Sequence, residues 1–118
     1  MSTRLAEPIA AYIKAINDHN SDAFLTCFTD DALVNDIGRD FHGAAAIKEW
    51  SDREIFGANV TLKVSAVAVG DGVTIVTTKV DGDYDKTGLP DPLLLDHHVT
   101  VNDAKISRLV ILQNQAAQ

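Results

Sequence analysis

The sequence predicts an α+β fold in which a curved, mainly antiparallel sheet wraps over N-terminal helices. Three observations predict it. The first half of the chain carries apolar residues largely at helical spacing, whereas from Asn59 onward the apolar period falls to two. The segments of period two are joined by short turn signals, Gly70-Asp71-Gly72 and Asn102-Asp103-Ala104-Lys105, as in a meander of strands. Helices segregated from such a run pack as one layer on another, and a curved sheet over helices leaves a pocket between them.

Each element has its own signal. Leu5, Ile9, Tyr12, Ile13 and Ile16 form a helical stripe, with Arg4, Glu7, Lys14 and Asp18 largely elsewhere. Pro8 is tolerable only in the first turn, so regular helix is expected from about Ala6 to near His19. Asn20-Ser21-Asp22 offers an N-cap for a short second helix holding Phe24, Leu25 and Phe28, closed by Thr29-Asp30-Asp31-Ala32. Ala32 to Asp36 reads as a short strand, continued after a turn at Gly38. After Gly43 a third helix places Ala46, Ile47, Trp50 and Ile55 or Phe56 on one stripe, with Gly57 as its C-cap. Val60, Leu62, Val64, Ala66 and Ala68 then alternate along a strand, and Val73 to Val80 is its return. Asp81 to Pro92 is rich in turn formers and is expected to be a loop. Leu93 to Val101 and Ile106 to Gln113 are the last two strands, and the tail after them is expected to fray.

Composition narrows the function. A chain of 118 residues suits one domain, residues 1–118, with a core large enough to fold without a disulfide or structural metal. A net charge of −7 with no compensating Lys/Arg cluster argues against nucleic acid and against an anionic membrane surface as partners. Cys27 is the only cysteine, which excludes an intramolecular disulfide and Cys-x-x-Cys zinc spacings. The N-terminus has no continuous apolar segment of the secretory type, and no run approaches membrane-spanning length, so a cytoplasmic location is the expectation.

The segment Leu93-Leu94-Leu95-Asp96-His97-His98-Val99 holds the candidate chemistry. Strand parity puts Leu94, Asp96, His98 and Thr100 on one face and Leu93, Leu95, His97, Val99 and Val101 on the other. The more apolar set is expected to pack on a core or a subunit interface. The Asp96/His98 face then meets water, a pocket or a polar partner. A carboxyl in an apolar pocket is pushed toward its neutral, donating form. Asp36 lies in a segment apolar on both faces and reads either as a turn residue before Gly38 or as a general base. Tyr12 reads as a core aromatic with its hydroxyl at a rim, and Trp50 as packing or a pocket wall. His19 and His42 fall at element ends and read as surface. Asp96 and His98 could offer two metal ligands, but no third or fourth is evident, so no metal site is expected. No nucleophile elbow, phosphate-binding glycine loop or nucleotide fingerprint is present.

The stretches AAYIKAINDHNSDAFLTCFTDDALVND, FHGAAAIKEW and LLLDHHVTVNDAKISRLVI together resemble the nuclear transport factor 2-like superfamily, in its SnoaL-like and ketosteroid isomerase-like branch. The resemblance implies a cone-shaped α+β barrel, a strongly bent sheet around a deep pocket. It also implies a tyrosine on the first helix (Tyr12), an aspartate base at the end of the first strand (Asp36), and a protonated aspartic acid on a late strand before a histidine (Asp96). His98 should then face the same pocket and position the substrate or share the proton. Val34, Trp50, Leu94 and Leu109 are expected to form the apolar wall. The family base commonly precedes a proline, whereas Asp36 precedes Ile37.

The leading expectation is an isomerase or polyketide cyclase-like enzyme, without a cofactor, that moves a proton next to the carbonyl of a small apolar compound. The alternatives are a binding module for an apolar small molecule and a scaffold. The resemblance implies a homodimer through the outer sheet face, placed at His97, Val99 and Val101.

Overall fold

The computed structural model describes residues 7–89 and 92–114. Leu5 and the expected helix start near Ala6, Pro90 and Asp91 of the loop, and the tail from Gln115 lie outside them.

Helix α1 spans Ile9–Asn17 and buries Ile9, Tyr12, Ile13, Ala15 and Ile16 along one stripe. His19, at φ 53°, ends it in the left-handed region. Helix α2 spans Ser21–Thr26, and the Asn20 side chain caps it by accepting from the Ala23 N–H at 3.1 Å. Helix α3 spans Ala44–Ser51 and runs into a π-helical turn, Asp52–Phe56. Gly57 follows that turn with an ordinary negative φ. It is needed for space, because a Cβ there would stand 2.7 Å from the Arg53 carbonyl oxygen.

The strands are β1 (Phe28–Asp36), β2 (Arg39–His42), β3 (Thr61–Val69), β4 (Thr74–Asp81), β5 (Leu93–Asn102) and β6 (Lys105–Gln113). They form one mixed sheet in the order β2-β1-β6-β5-β4-β3, antiparallel except for the parallel pair β1–β6. The α+β architecture is the expected one. The sheet stays open, with β2 and β3 as its edges. Asn17 covers part of the β3 edge: its side chain donates to the Leu62 carbonyl at 2.9 Å and accepts from the Leu62 N–H at 2.7 Å.

Two segments depart from the expected pattern. Thr29-Asp30-Asp31 does not close α2; it belongs to β1, which starts at Phe28 and carries a register shift before Leu33. In β3 a bulge at Ser65 inserts an extra residue, since Val64 pairs with Thr78 but Ala66 with Thr77. Beyond the bulge the inward set changes parity, so Val67 opposes buried Val76 while Ala66 and Ala68 are exposed.

The core fills the space between helices and sheet. Phe24 is fully buried at its centre, with ring centroids 5.7 Å from Tyr12, 5.0 Å from Phe28, 6.4 Å from Trp50 and 5.5 Å from Phe56. Such tilted and edge-on ring contacts add to area burial. Because Phe24 joins both helical segments to β1, Phe24→Ala is expected to destabilise the fold by about 3–5 kcal/mol. Chemical denaturation monitored by Trp50 fluorescence measures this, and a loss under about 1 kcal/mol would show that the cluster collapses around the gap.

Candidate functional site

A cavity of about 470 Å³ opens between α1, the π-helical turn and the inner face of the sheet. Its walls are mostly aliphatic, and its polar groups are few: Tyr12, Asp36, Trp50, Glu54, Tyr84, His97 and Gln113. Tyr84 and Leu89 come from the loop after β4, so that loop supplies part of the wall.

Cross-strand register sets the spacing of the chemistry. Asp36 pairs with Ile111, Ile111 with His97, and His97 with Val76, so these four form one inward-facing row. With neighbouring strands about 4.8 Å apart, the backbones of Asp36 and His97 stand about 10 Å apart across the cavity floor.

The His97 ring is 3% exposed, yet both of its nitrogens have partners. Nδ1 lies 2.9 Å from the Tyr12 hydroxyl and Nε2 lies 3.1 Å from the Thr78 hydroxyl. Burial lowers the His97 pKa to about 4; the Asp96 charge opposes this and His98 adds to it. Burial, and then the charge of Asp36, push the Tyr12 phenol well above its ordinary range. The pair is therefore neutral at pH 7: an imidazole with one N–H between two hydroxyls. The tautomer sets the donors: with the proton on Nδ1 and donated to the Tyr12 oxygen, Thr78 turns its single hydrogen to Nε2 rather than to the Leu95 carbonyl at 3.4 Å, and the Tyr12 O–H is left to donate into the cavity.

Asp36 ends β1 opposite Arg39, the first residue of β2. Its Oδ2 accepts from the Arg39 guanidinium at 2.7 Å and from the Trp50 indole N–H at 3.1 Å. Among the described residues both donors converge on that one oxygen. Arg39 also makes a forked pair with Glu54, at 2.9 and 2.6 Å, and lies 5.5 Å over the Phe41 ring. The guanidinium holds the Glu54 carboxyl below its usual range, and the Arg39 pKa is raised in turn. This ion-pair set ties the β1–β2 hairpin to the π-helical turn, a helix irregularity frequent at functional sites.

Of the expected site residues, Tyr12, Asp36 and Trp50 line this cavity. Asp96 and His98 do not. They sit on the opposite face of β5 with Leu94, and Asp96 accepts from Thr77 at 2.6 Å and Asn114 at 3.0 Å. Leu93, Leu95, His97 and Val99 are the residues turned inward, so the face assigned to subunit contact is the interior one. The reason is the cost of burial: a neutral histidine with both nitrogens bonded can be enclosed, whereas a carboxylate is stabler where water and hydroxyls reach it. The opposite face carries Leu112, 43% exposed. Val34 and Leu109 are fully buried core residues on the neighbouring row and do not line the cavity; Leu94 faces away from it. His19 and His42 are exposed.

Several polar residues at or behind the cavity wall were not assigned to the site from sequence, among them His97, which was given to a core or subunit face, and Thr78, Arg39 and Glu54. His97 had a signal, a histidine within the most apolar parity set of its strand. Arg39 had a weaker one, a cation placed across a turn from Asp36. Thr78 and Glu54 had none without the pairing.

The open α+β sheet over helices, with a tyrosine and an aspartate facing one apolar cavity, has the fold of an NTF2-like protein from Cytophaga hutchinsonii, at 10% identity over 97% of this chain and 95% of that one and a TM-score of 0.74. The chain belongs to the SnoaL-like domain family, whose model matches residues 9–109. It is similar to the crystal structure of a candidate polyketide cyclase from Sinorhizobium meliloti, with 27% identity over 92% of this chain and 95% of that one and a TM-score of 0.82. A second candidate polyketide cyclase, from Xanthomonas campestris pv. campestris, is 25% identical over 90% of this chain and 87% of that one, with a TM-score of 0.75. A candidate ketosteroid isomerase from Kribbella flavida shares the fold at 13% identity, over 93% of this chain and 77% of that one, with a TM-score of 0.74. Among curated proteins no sequence matches.

Burial of neutral His97 has a consequence for stability. Between pH 6.5 and 4 the unfolded chain holds a proton on this residue that the folded chain does not, so stability rises with pH across that window and is fully present above it. The loss on acidification from pH 6.5 to 4 is expected to be on the order of 3 kcal/mol. Denaturant midpoints measured across the window should fall steadily in the wild type and much less in His97→Gln.

Proposed function

We propose that the cavity binds a small, largely apolar carbonyl compound and that Asp36 transfers a proton at the carbon next to its carbonyl. One observation carries the reading: a carboxylate and a buried Tyr12–His97 pair face the same apolar cavity from opposite ends of one sheet row.

The chemistry follows from these positions. Asp36 takes a proton from the α-carbon, and the electron pair of that C–H bond moves to the carbonyl oxygen as an enolate. Tyr12 donates a hydrogen bond to that oxygen as its charge develops, and His97 holds the phenol in place from behind. Return of the proton from Asp36 to another carbon of the conjugated system completes an isomerisation. Attack of the enolate carbon on a second carbonyl within the same molecule breaks that C=O π bond to an alkoxide, and return of the proton from Asp36 to the alkoxide oxygen completes an aldol cyclisation instead. The likeness to candidate polyketide cyclases supports including this second route. The apolar walls exclude water and strengthen both interactions. The family resemblance gave protonated Asp96 a hydrogen bond to the enolate oxygen; His97 is instead the late-strand group at this end of the cavity, and it acts through Tyr12.

A second reading has its own support. Because Arg39 and Trp50 already engage Asp36, the carboxylate could serve to hold the hairpin and the π-helical turn together around a pocket that only binds. The two readings differ in one measurement. In heavy water, 2-tetralone, a compact apolar ketone, should lose its α-proton NMR signals faster with the protein present. Asp36→Asn is expected to slow the protein-dependent exchange by 10²–10⁴-fold, and Tyr12→Phe by about 10–10³-fold. Tight binding of the ketone with no acceleration of exchange would establish the binding module and end the catalytic reading.

A further inference from the structure

The turn between β1 and β2 consists of Ile37 and Gly38, both in the left-handed region, at φ 47° and φ 88°. Asparagine, aspartate and glycine adopt that geometry readily, whereas a β-branched residue there is a steric outlier. The other non-glycine residues with positive φ among those described are His19, Asn59, Asp103 and Ala104, none of them β-branched. The comparable turn between β5 and β6 uses Asp103 and Ala104.

The surroundings impose this conformation on Ile37. Its N–H donates to the Ile111 carbonyl at 3.0 Å, the Gly38 N–H donates to Asn35 Oδ1 at 3.0 Å, and Arg39 reaches back to Asp36 at 2.7 Å. Nothing in the core compensates the strain, because Ile37 is 55% exposed. The side chain nonetheless lines the cavity, next to Asp36 in sequence, and Trp50 and Ile111 belong to the same wall. A strained backbone, an exposed aliphatic side chain and a place at the cavity rim therefore coincide at one residue. Strain of this kind persists where function requires the side chain.

From this we infer that Ile37 is a specificity-determining ligand contact, an apolar lip that closes over a flat hydrophobic body seated against Asp36 and is covered only when that body is bound. The inference rests on reading the cavity as a ligand site and deepens it. The class of compound selected extends past Asp36 toward the mouth as an apolar ring.

The test uses 2-naphthol, a flat apolar phenol resembling an enol, and protein labelled with ¹³C at the isoleucine δ1 methyls. Titration is expected to shift Ile37 together with Ile16, Ile55 and Ile111, with nuclear Overhauser contacts from the naphthol ring to Ile37. Ile37→Asn and Ile37→Gly are expected to bind 2-naphthol about five- to tenfold more weakly. Ile37→Asn is also expected to raise Tm by a few degrees as the turn relaxes. Shifts at Ile16, Ile55 and Ile111 without one at Ile37, and unchanged affinity in both variants, would overturn the role of Ile37 and leave the cavity as a ligand site. Weaker binding with a lower Tm in both variants would assign Ile37 to the fold and overturn the inference. No methyl shift anywhere would overturn both the inference and the ligand site.

Discussion

The hydrogen-bonded set Tyr12–His97–Thr78 joins helix α1 to strands β4 and β5 from inside the protein. Side chains alternate along a strand, so a slip of one residue in β5 would exchange its two faces. His97 would then lose both partners to solvent, and Asp96 and His98 would be driven under α1. The buried, neutral, doubly bonded imidazole thus selects one register. The placement of Leu93 and Leu95 in the cavity wall, and of Val99 in the core, depends on that choice.

The cavity inherits its chemistry from the same arrangement. Pairing of β1 with β6 and of β6 with β5 puts Asp36 and His97 in one row, separated by Ile111. Few other polar groups enter the space between them. Arg39 and Trp50 orient one end, through a single carboxylate oxygen; His97 orients the other, through a single phenol. Asp36 and Tyr12 are each held by hydrogen-bonding partners, an arrangement that would lower the reorganisation needed in the proposed proton transfer. The forked Arg39–Glu54 pair extends the support to the π-helical turn. One wall of the cavity is in this way fastened to the β1–β2 hairpin.

Much of the fold was legible in the chain. The stripe of α1, the Asn20 cap, the turns at Gly38 and at Asp103-Ala104, and the succession of the last four strands along the chain follow from local pattern and turn chemistry, whereas the parallel pairing of β1 with β6 does not. Tyr12 and Asp36 were expected at the pocket from the family resemblance, and Trp50 as packing or a pocket wall; all three line the cavity. Asp96 was misplaced for a specific reason. Parity alone had set the His97 face against a core or an interface and the Asp96 face toward polar surroundings, and the structure agrees with the core. Family resemblance then drew the acid inward, although β5 presents its histidine there. A bulge at Ser65 had a similar effect in β3, since one extra residue reverses every side chain beyond it and leaves no mark in the hydrophobic period before it.

The sequence by itself determined the fold class, the helical and strand segments and the family, because those depend on local propensity, hydrophobic period and short-range turn chemistry. Only the tertiary structure decided which face of β5 lines the cavity, that Arg39 joins Asp36 to Glu54, and that Ile37 stands at the rim in a strained turn. Those features depend on strand register and on partners distant along the chain, where one residue of offset changes which groups meet. The choice among offsets is made by which polar groups can be buried with all their hydrogen bonds intact.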